Sequence, residues 1–222
     1  MHFARRLIPF ALAIALCAPQ AAQAATLAPL APCYRSVDDA TREAVPVKAT
    51  DFTPGAVVHV SIDGVVVRDD VIALPDGSVS GTVDAPHQAG GERPFSLTVT
   101  ERDRPANTAT TSSRVAALSL RLKPSQAPPS RRVRFLGRGF TDGPEVYGHY
   151  VRGGKLRRTV LLGRPRGACG RLDVRRRQIP LRRPKTGRWT LQVDNQPEYS
   201  SEPVSVFVRL PITVKRVPRR PR

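Results

Sequence analysis

Polar and apolar positions along this chain alternate in short runs with a period of two, and turn residues interrupt the runs. Val45, Val47 and Ala49 alternate with Pro46, Lys48 and Thr50. Val58, Val60 and Ile62 do so with Val57, His59 and Ser61, and Phe95, Leu97 and Val99 with Ser96 and Thr98. Such alternation places one face of a strand in a core and the other in water. Between the runs stand Thr53-Pro54-Gly55, Asp63-Gly64, Asp76-Gly77 and Gly90-Gly91, where Pro presets φ and Gly accepts a positive one. Long helical periodicity is absent, so the pattern predicts short antiparallel strands joined by turns, the arrangement of a β-sandwich.

The pattern is written twice. Asp51-Phe52-Thr53-Pro54-Gly55-Ala56-Val57-Val58 returns as Gly139-Phe140-Thr141-Asp142-Gly143-Pro144-Glu145-Val146, at a constant offset of 88 residues. Phe95-Ser96-Leu97-Thr98-Val99 returns as Trp189-Thr190-Leu191-Gln192-Val193, at an offset of 94. An internal repeat of this length means two copies of one structural unit, with Phe52, Phe95, Phe140 and Trp189 as core residues. The expected division is a first sandwich over 33–122, a proline-stiffened linker over 123–130 and a second sandwich over 131–214. A flexible small-residue leader over 25–32 precedes them, and a basic disordered tail over 215–222 follows.

Residues 1–24 read as a signal peptide. Arg5 and Arg6 form its charged start, Leu7 to Cys17 its apolar stretch, and Ala22-Gln23-Ala24 a small-x-small cleavage site. Removing it leaves two cysteines, Cys33 and Cys169, one in each unit. In an oxidising compartment two readings stay open, a Cys33–Cys169 disulfide between the units or two separate thiols.

Charge separates the copies. Residues 25–118 carry 8 Lys and Arg against 12 Asp and Glu, whereas residues 119–222 carry 26 against 6. Two units with one fold pattern and opposite surfaces point to an anionic partner for the second, or to attraction between the halves. The candidate polyanion-binding residues are Arg152, Lys155, Arg157 and Arg158 around the Gly153-Gly154 turn, then Arg175, Arg176, Arg177, Arg182, Arg183 and Lys185. The planar arginine fork suits two-point contact with phosphate or carboxylate. Few aromatics interleave with these cations, which disfavours stacking on nucleobases.

Motifs for other chemistry are missing from the sequence. It contains no His-Glu-x-x-His or Cys-x-x-Cys metal pattern, and the mature chain holds no Gly-x-Ser-x-Gly nucleophile turn. The acids of the first unit lack the alternating loop of a calcium site, and Asp63 and Asp76 serve turns. His59 and His149 are expected to face outward from strands. No cofactor is expected, and the chain is expected not to be an enzyme.

The Phe-Thr-Pro-Gly-x-x-Val turn and strand, followed by the late Phe95 and Trp189 strands, resembles bacterial immunoglobulin-like repeats of secreted and surface proteins. Val146–Lys155 together with Gly187–Leu191 resembles a domain of uncharacterised secreted actinobacterial proteins. The resemblance covers nearly the whole mature chain and implies two tandem immunoglobulin-like β-sandwiches without catalytic residues. The resulting expectation is a secreted, envelope-associated binding or structural module. The alternative is a polyanion binder acting through its basic second domain on a wall polymer, anionic lipid or extracellular nucleic acid.

Overall fold

In the computed structural model, residues 24–202 and 207–215 are described. The signal-peptide reading and the basic tail lie outside them, apart from Ala24 and Lys215. Among the described residues there is no helix, and none is therefore long and apolar enough to cross a membrane.

The strands run β1 (Thr26–Leu27), β2 (Tyr34–Ser36), β3 (Ala44–Thr50), β4 (Val57–Ile62), β5 (Val65–Ile72), β6 (Val79–Asp84), β7 (Glu92–Glu101) and β8 (Thr108–Ala117). They continue as β9 (Ser119–Lys123), β10 (Arg132–Arg138), β11 (Val146–Arg152), β12 (Lys155–Gly163), β13 (Leu172–Arg177), β14 (Gly187–Asp194) and β15 (Val208–Val214). The first eight form sheets ordered β1-β3-β6 and β2-β8-β7-β4-β5, and the remaining seven form β9-β10-β13 and β12-β11-β14-β15. Each unit thus packs an outer-inner-outer triplet against a sheet built on its central hairpins. This is the strand order of an immunoglobulin-like sandwich, and the chain contains two in tandem.

Alternation becomes burial directly. Strand β3 hides Val45, Val47 and Ala49, and strand β10 hides Val133, Phe135 and Gly137. Burying each large aliphatic or aromatic side chain contributes about 1.5–3 kcal/mol. The two cores are separate, one containing Phe52 and Phe95 and the other Phe140 and Trp189.

The repeat is structural as well as sequential. Phe52 and Phe140 are both buried, 3% and 1% exposed, just past the end of the second strand of their triplets. The Phe52 N–H donates to the Gly77 carbonyl at 3.1 Å, and the Phe140 N–H to the Gly170 carbonyl at 3.3 Å. Gly77 and Gly170 both have positive φ, and a Cβ on either would strike the carbonyl of its phenylalanine. Only glycine meets both demands. Replacing Gly170 by Ala adds a left-handed penalty of about 1–2 kcal/mol and an overlap with backbone. Gly167→Ala is the control, because Gly167 shares the positive φ but a Cβ there meets nothing within 4 Å. Urea melts are expected to place G170A clearly below G167A. Equal midpoints would remove the close approach as a determinant of the fold.

Two boundaries differ from expectation. The first sandwich, expected to run to residue 122, ends with β8 at Ala117, and the chain divides at Leu118. Strand β8 pairs with β7 in the first sandwich, while β9 pairs with β10 in the second. Residues 123–130 are therefore a connection inside the second sandwich, where the Ile179 N–H donates to the Pro129 carbonyl at 3.0 Å and Ala127 packs on the core. The leader is likewise part of the first sandwich. Thr26 and Leu27 pair with β3, Ala25 is buried, and Leu27 and Leu30 pack on the core. Small residues and prolines at 25–32 are compatible with a short edge strand as well as with a tether, and apolar burial decides it.

Strand β5 returns from Asp63-Gly64 as expected but stands nearly free, with Val65, Val66, Val67 and Ile72 exposed. Its pairing with β4 shifts register twice, irregularities that twist an edge away from further strand addition.

Candidate functional site: a cationic sheet face

The outward positions of β9, β10 and β13 form one surface. Because side chains alternate, Leu120 and Leu122, Val133 and Phe135, and Leu172 and Val174 turn toward the core. The intervening residues point away from it. They are Ser119, Arg121 and Lys123 on β9, Arg132, Arg134, Leu136 and Arg138 on β10, and Asp173, Arg175 and Arg177 on β13.

Register turns these into rows. Arg134 lies between Lys123 on one side and Arg175 on the other, and Arg132 lies opposite Arg177. Neighbouring strands stand about 4.8 Å apart and alternate residues about 6.8 Å apart along a strand. The result is a flat lattice of cations. Like charges directly opposite destabilise a sheet pair, so the lattice works against the fold that presents it. The equivalent face of the first sandwich has no such conflict, for there Lys48 opposes Ser80 and Pro46 opposes Thr82.

One carboxylate relieves the lattice. Arg134 donates from Nε to Asp173 Oδ1 at 2.6 Å and from Nη2 to Oδ2 at 2.5 Å, and Arg171 Nη2 stands 3.9 Å from Oδ2. The hydrogen bonds from Arg134 hold the Asp173 carboxyl below the ordinary range, and the same contact raises the Arg134 guanidinium. This fork-to-fork pair shows the two-point geometry that an incoming phosphate or carboxylate would find.

The candidates named from sequence fall in different places. Arg175 and Arg177 belong to the lattice. Arg176, of opposite parity, lines a cavity with Val160 and Pro180 that the strand-end lattice members Arg132 and Arg177 also reach. Arg152 donates from Nη2 to the Thr186 carbonyl at 3.0 Å, which brings the β11–β12 hairpin end, with Lys155, to the connection carrying Arg182, Arg183 and Lys185. Arg157 and Arg158 lie exposed on the edge strand β12. The candidates therefore do not form one site. Arg121, Lys123, Arg132 and Arg134 are lattice members that sequence selection by local charge density missed. Their signal was parity, a cation at every second position of a strand.

The opposite sheet of the second sandwich holds a different arrangement. His149, expected to face outward into solvent, is wholly buried on the outer face of β11. The segment after β14 folds back over that face and covers it. His149 Nε2 lies 3.1 Å from Asp194 Oδ1 and 3.1 Å from the Gln196 carbonyl, and Nδ1 lies 2.9 Å from Thr159 Oγ1. With two acceptors before it, Nε2 donates, and the Thr159 hydroxyl completes the partners of the ring at Nδ1. Asp194 also accepts from Gln192 Nε2 at 3.0 Å and from the Gln196 N–H at 2.9 Å. Burial pushes its carboxyl up, but the bonds from His149, Gln192 and Gln196 outweigh this and leave it below 3.8. His59, by contrast, stays at the surface, accepting from Arg102 Nε at 3.2 Å.

Cys33 and Cys169 are bonded at the junction of the two units, with Cα atoms 5.2 Å apart, and pack with Ala116 in a small cluster of their own. Arg35 in the first unit pairs with Asp142 and reaches Thr141 Oγ1 at 3.4 Å in the second. Arg138 Nη1 meets Glu92 Oε2 at 3.1 Å, and Arg114 Nη2 meets the other Glu92 oxygen at 3.1 Å. The base of the lattice is thus fixed relative to the first sandwich. Among the described residues no three of His, Cys, Asp and Glu gather as a metal-binding group.

No protein-family model matches the chain. No curated protein matches it. Among solved structures the chain is similar to bovine butyrophilin, at 8% identity and a TM-score of 0.31, over 86% of this chain and 99% of that one. It is also similar to a Ca2+-stabilised adhesin with which an Antarctic bacterium binds ice, at 14% identity and a TM-score of 0.33, over 87% of this chain. A third likeness, at 12% identity and a TM-score of 0.32 over 84% of this chain, is to the I67–I69 fragment of the titin I-band. The chain spans 48% of the adhesin chain and 64% of the titin fragment.

Proposed function

We infer that this chain is a non-catalytic, extracytoplasmic binding module whose second sandwich docks on a polyanion through the outer face of β9, β10 and β13. The observation that supports this reading is the cross-strand placement of like charges: Lys123, Arg134 and Arg175 in one row and Arg132 beside Arg177 in the next. A ligand carrying repeated phosphate or carboxylate groups converts this internal repulsion into attraction. Aromatic side chains are absent from the outward positions of these strands, which favours a polymer read by its anionic groups over one read by stacked bases. The extracytoplasmic setting rests on the signal-peptide reading of residues 1–24 and on a disulfide between the sandwiches.

The test uses the chain from residue 25 onward on immobilised heparin and on a phosphate matrix. Replacing Arg121, Arg132, Arg134, Arg175 and Arg177 with Gln is expected to shift elution to much lower salt. The logarithmic salt dependence of binding is expected to fall by roughly 0.7 per lost contact. Replacing Arg152, Lys155, Arg182, Arg183 and Lys185 removes equal charge from elsewhere and is expected to change elution far less. Equal shifts would reduce the effect to net charge. A wild-type chain eluting at low salt would end the reading.

A further inference from the structure

We propose that the cationic lattice is a track with an end, and that the groove where it meets the first sandwich binds the terminal anionic group of a linear phosphate polymer. This rests on the polyanion reading above and adds a direction and a stop to it. Along β10 the outward residues run Arg132, Arg134, Leu136, Arg138 toward the junction. At the junction lies a groove of about 350 Å³, lined by Arg121, Arg138 and Arg171 from the second sandwich and by Gly90 and Gly91 from the first. That volume is within the range of small-ligand sites.

Three features make the groove differ from the open face. Its cations converge from separate elements, Arg121 from β9, Arg138 from β10 and Arg171 from just before β13. The open face offers single guanidiniums to successive groups of a chain, whereas the groove offers several to one group, as a doubly charged terminal phosphate requires. Second, Arg138 is held by Glu92, itself held by Arg114, at 3.1 Å in both contacts, so this part of the site is pre-set by the first sandwich. Preorganisation of that kind favours binding by reducing the ordering that must accompany it. Third, the facing wall is Gly90-Gly91, where absent side chains let a ligand approach the backbone. A Cβ at Gly90 meets nothing within 4 Å, so a side chain placed there has room to enter.

A chain lying along β10 would meet Arg132 and Arg134, pass Leu136 with Arg121 beside it on β9, and finish in this groove. The ligand class is a linear phosphate polymer with an exposed end group, and the lattice would hold its body.

Isothermal titration of the chain from residue 25 onward with inorganic tripolyphosphate and with long-chain polyphosphate separates end from body. The R121Q/R171Q variant, which leaves the Arg138–Glu92 pair intact, is expected to lose at least about tenfold in tripolyphosphate affinity. The face variant R132Q/R175Q/R177Q is expected to keep tripolyphosphate binding and lose long-chain binding. Gly90→Asp, made in the other sandwich, is expected to weaken tripolyphosphate as R121Q/R171Q does, with an unchanged unfolding midpoint confirming the fold. If tripolyphosphate binding survives R121Q/R171Q and G90D, or follows the face variant, the groove assignment is overturned and the polyanion reading stands. Wild-type binding of the long chain without tripolyphosphate has the same meaning. Binding of neither probe overturns both.

Discussion

Replacing Cys33 and Cys169 together by Ala, or reducing their bond in the wild type, is expected to lower the unfolding free energy by about 3–5 kcal/mol. The bond closes a loop with a sequence separation of 136 residues. For a loop of that length the chain-entropy model gives about 5 kcal/mol, and incomplete disorder of the unfolded chain lowers what is realised. Its placement also bears on cooperativity. The two cores share no residue, and Leu118 alone separates the last strand of one sandwich from the first strand of the next. Besides the disulfide, Arg35 with Asp142 and Arg138 with Glu92 cross the junction; Arg35 is buried, whereas the partly exposed Arg138–Glu92 pair contributes little by itself. Urea unfolding followed by Trp189 fluorescence and by far-ultraviolet circular dichroism measures both effects. Coincident transitions in the oxidised chain are expected to separate in the double variant, because the only tryptophan reports on the second core. A loss below 1 kcal/mol with coincident transitions would make the bond thermodynamically idle.

Much of the architecture is legible in the chain because its determinants are local. Period-two alternation survives in a sandwich whose strands each bury one face, and Phe52 and Phe140 sit in matching turns that a sequence offset alone reveals. The boundary at Leu118 was not legible for a physical reason. Val115, Ala116, Ala117 and Leu118 are apolar at four successive positions, which hides the change of parity from Val115 in β8 to Leu120 and Leu122 in β9, and alternation states which face is buried but not in which sheet. The leader was misread because Ala25 and Leu27 are too few to show a period.

The candidate site was harder to read because it is assembled across sequence distance. Arg121 and Arg177 belong to one face although a whole central hairpin intervenes between their strands. Selecting runs such as Arg175-Arg176-Arg177 gathers residues of opposite parity, which strand geometry sends to different surfaces. His149 shows the same limit from the other side. Its parity does point away from the core, as expected, yet a segment nearly 50 residues later covers it. Outward on a strand is a local property, whereas exposure depends on what lies over the sheet.

Removing the Asp194 carboxylate is expected to destabilise the second sandwich by about 3–5 kcal/mol, since each of its three buried donors left short of an acceptor costs about 1–3 kcal/mol. In Asp194→Ala the His149 Nε2–H keeps only the Gln196 carbonyl, while Gln192 Nε2 keeps only the Ser200 carbonyl at 3.0 Å. The Gln196 N–H loses its acceptor altogether. Those losses concentrate on the segment that folds over the sheet, so limited proteolysis is expected to cut the variant within residues 195–202 at conditions that leave wild type intact. Arg209 reinforces the same cover, donating from Nε to Gln192 Oε1 at 3.1 Å and stacking 4.5 Å from the Phe207 ring. The pH dependence follows from the lowered carboxyl. A group whose pKa is lower folded than unfolded contributes stability that is present above the unfolded value and lost as pH falls through the folded one. With 3.8 as the ordinary value, the contribution is complete at neutral pH and disappears below about pH 4. Wild type should therefore lose stability steeply on acidification below that point, and Asp194→Ala should lose less over the same interval. Parallel acid titrations of the two proteins, or a variant within 1 kcal/mol of wild type at pH 7, would show that the covering segment is held by something other than this carboxylate.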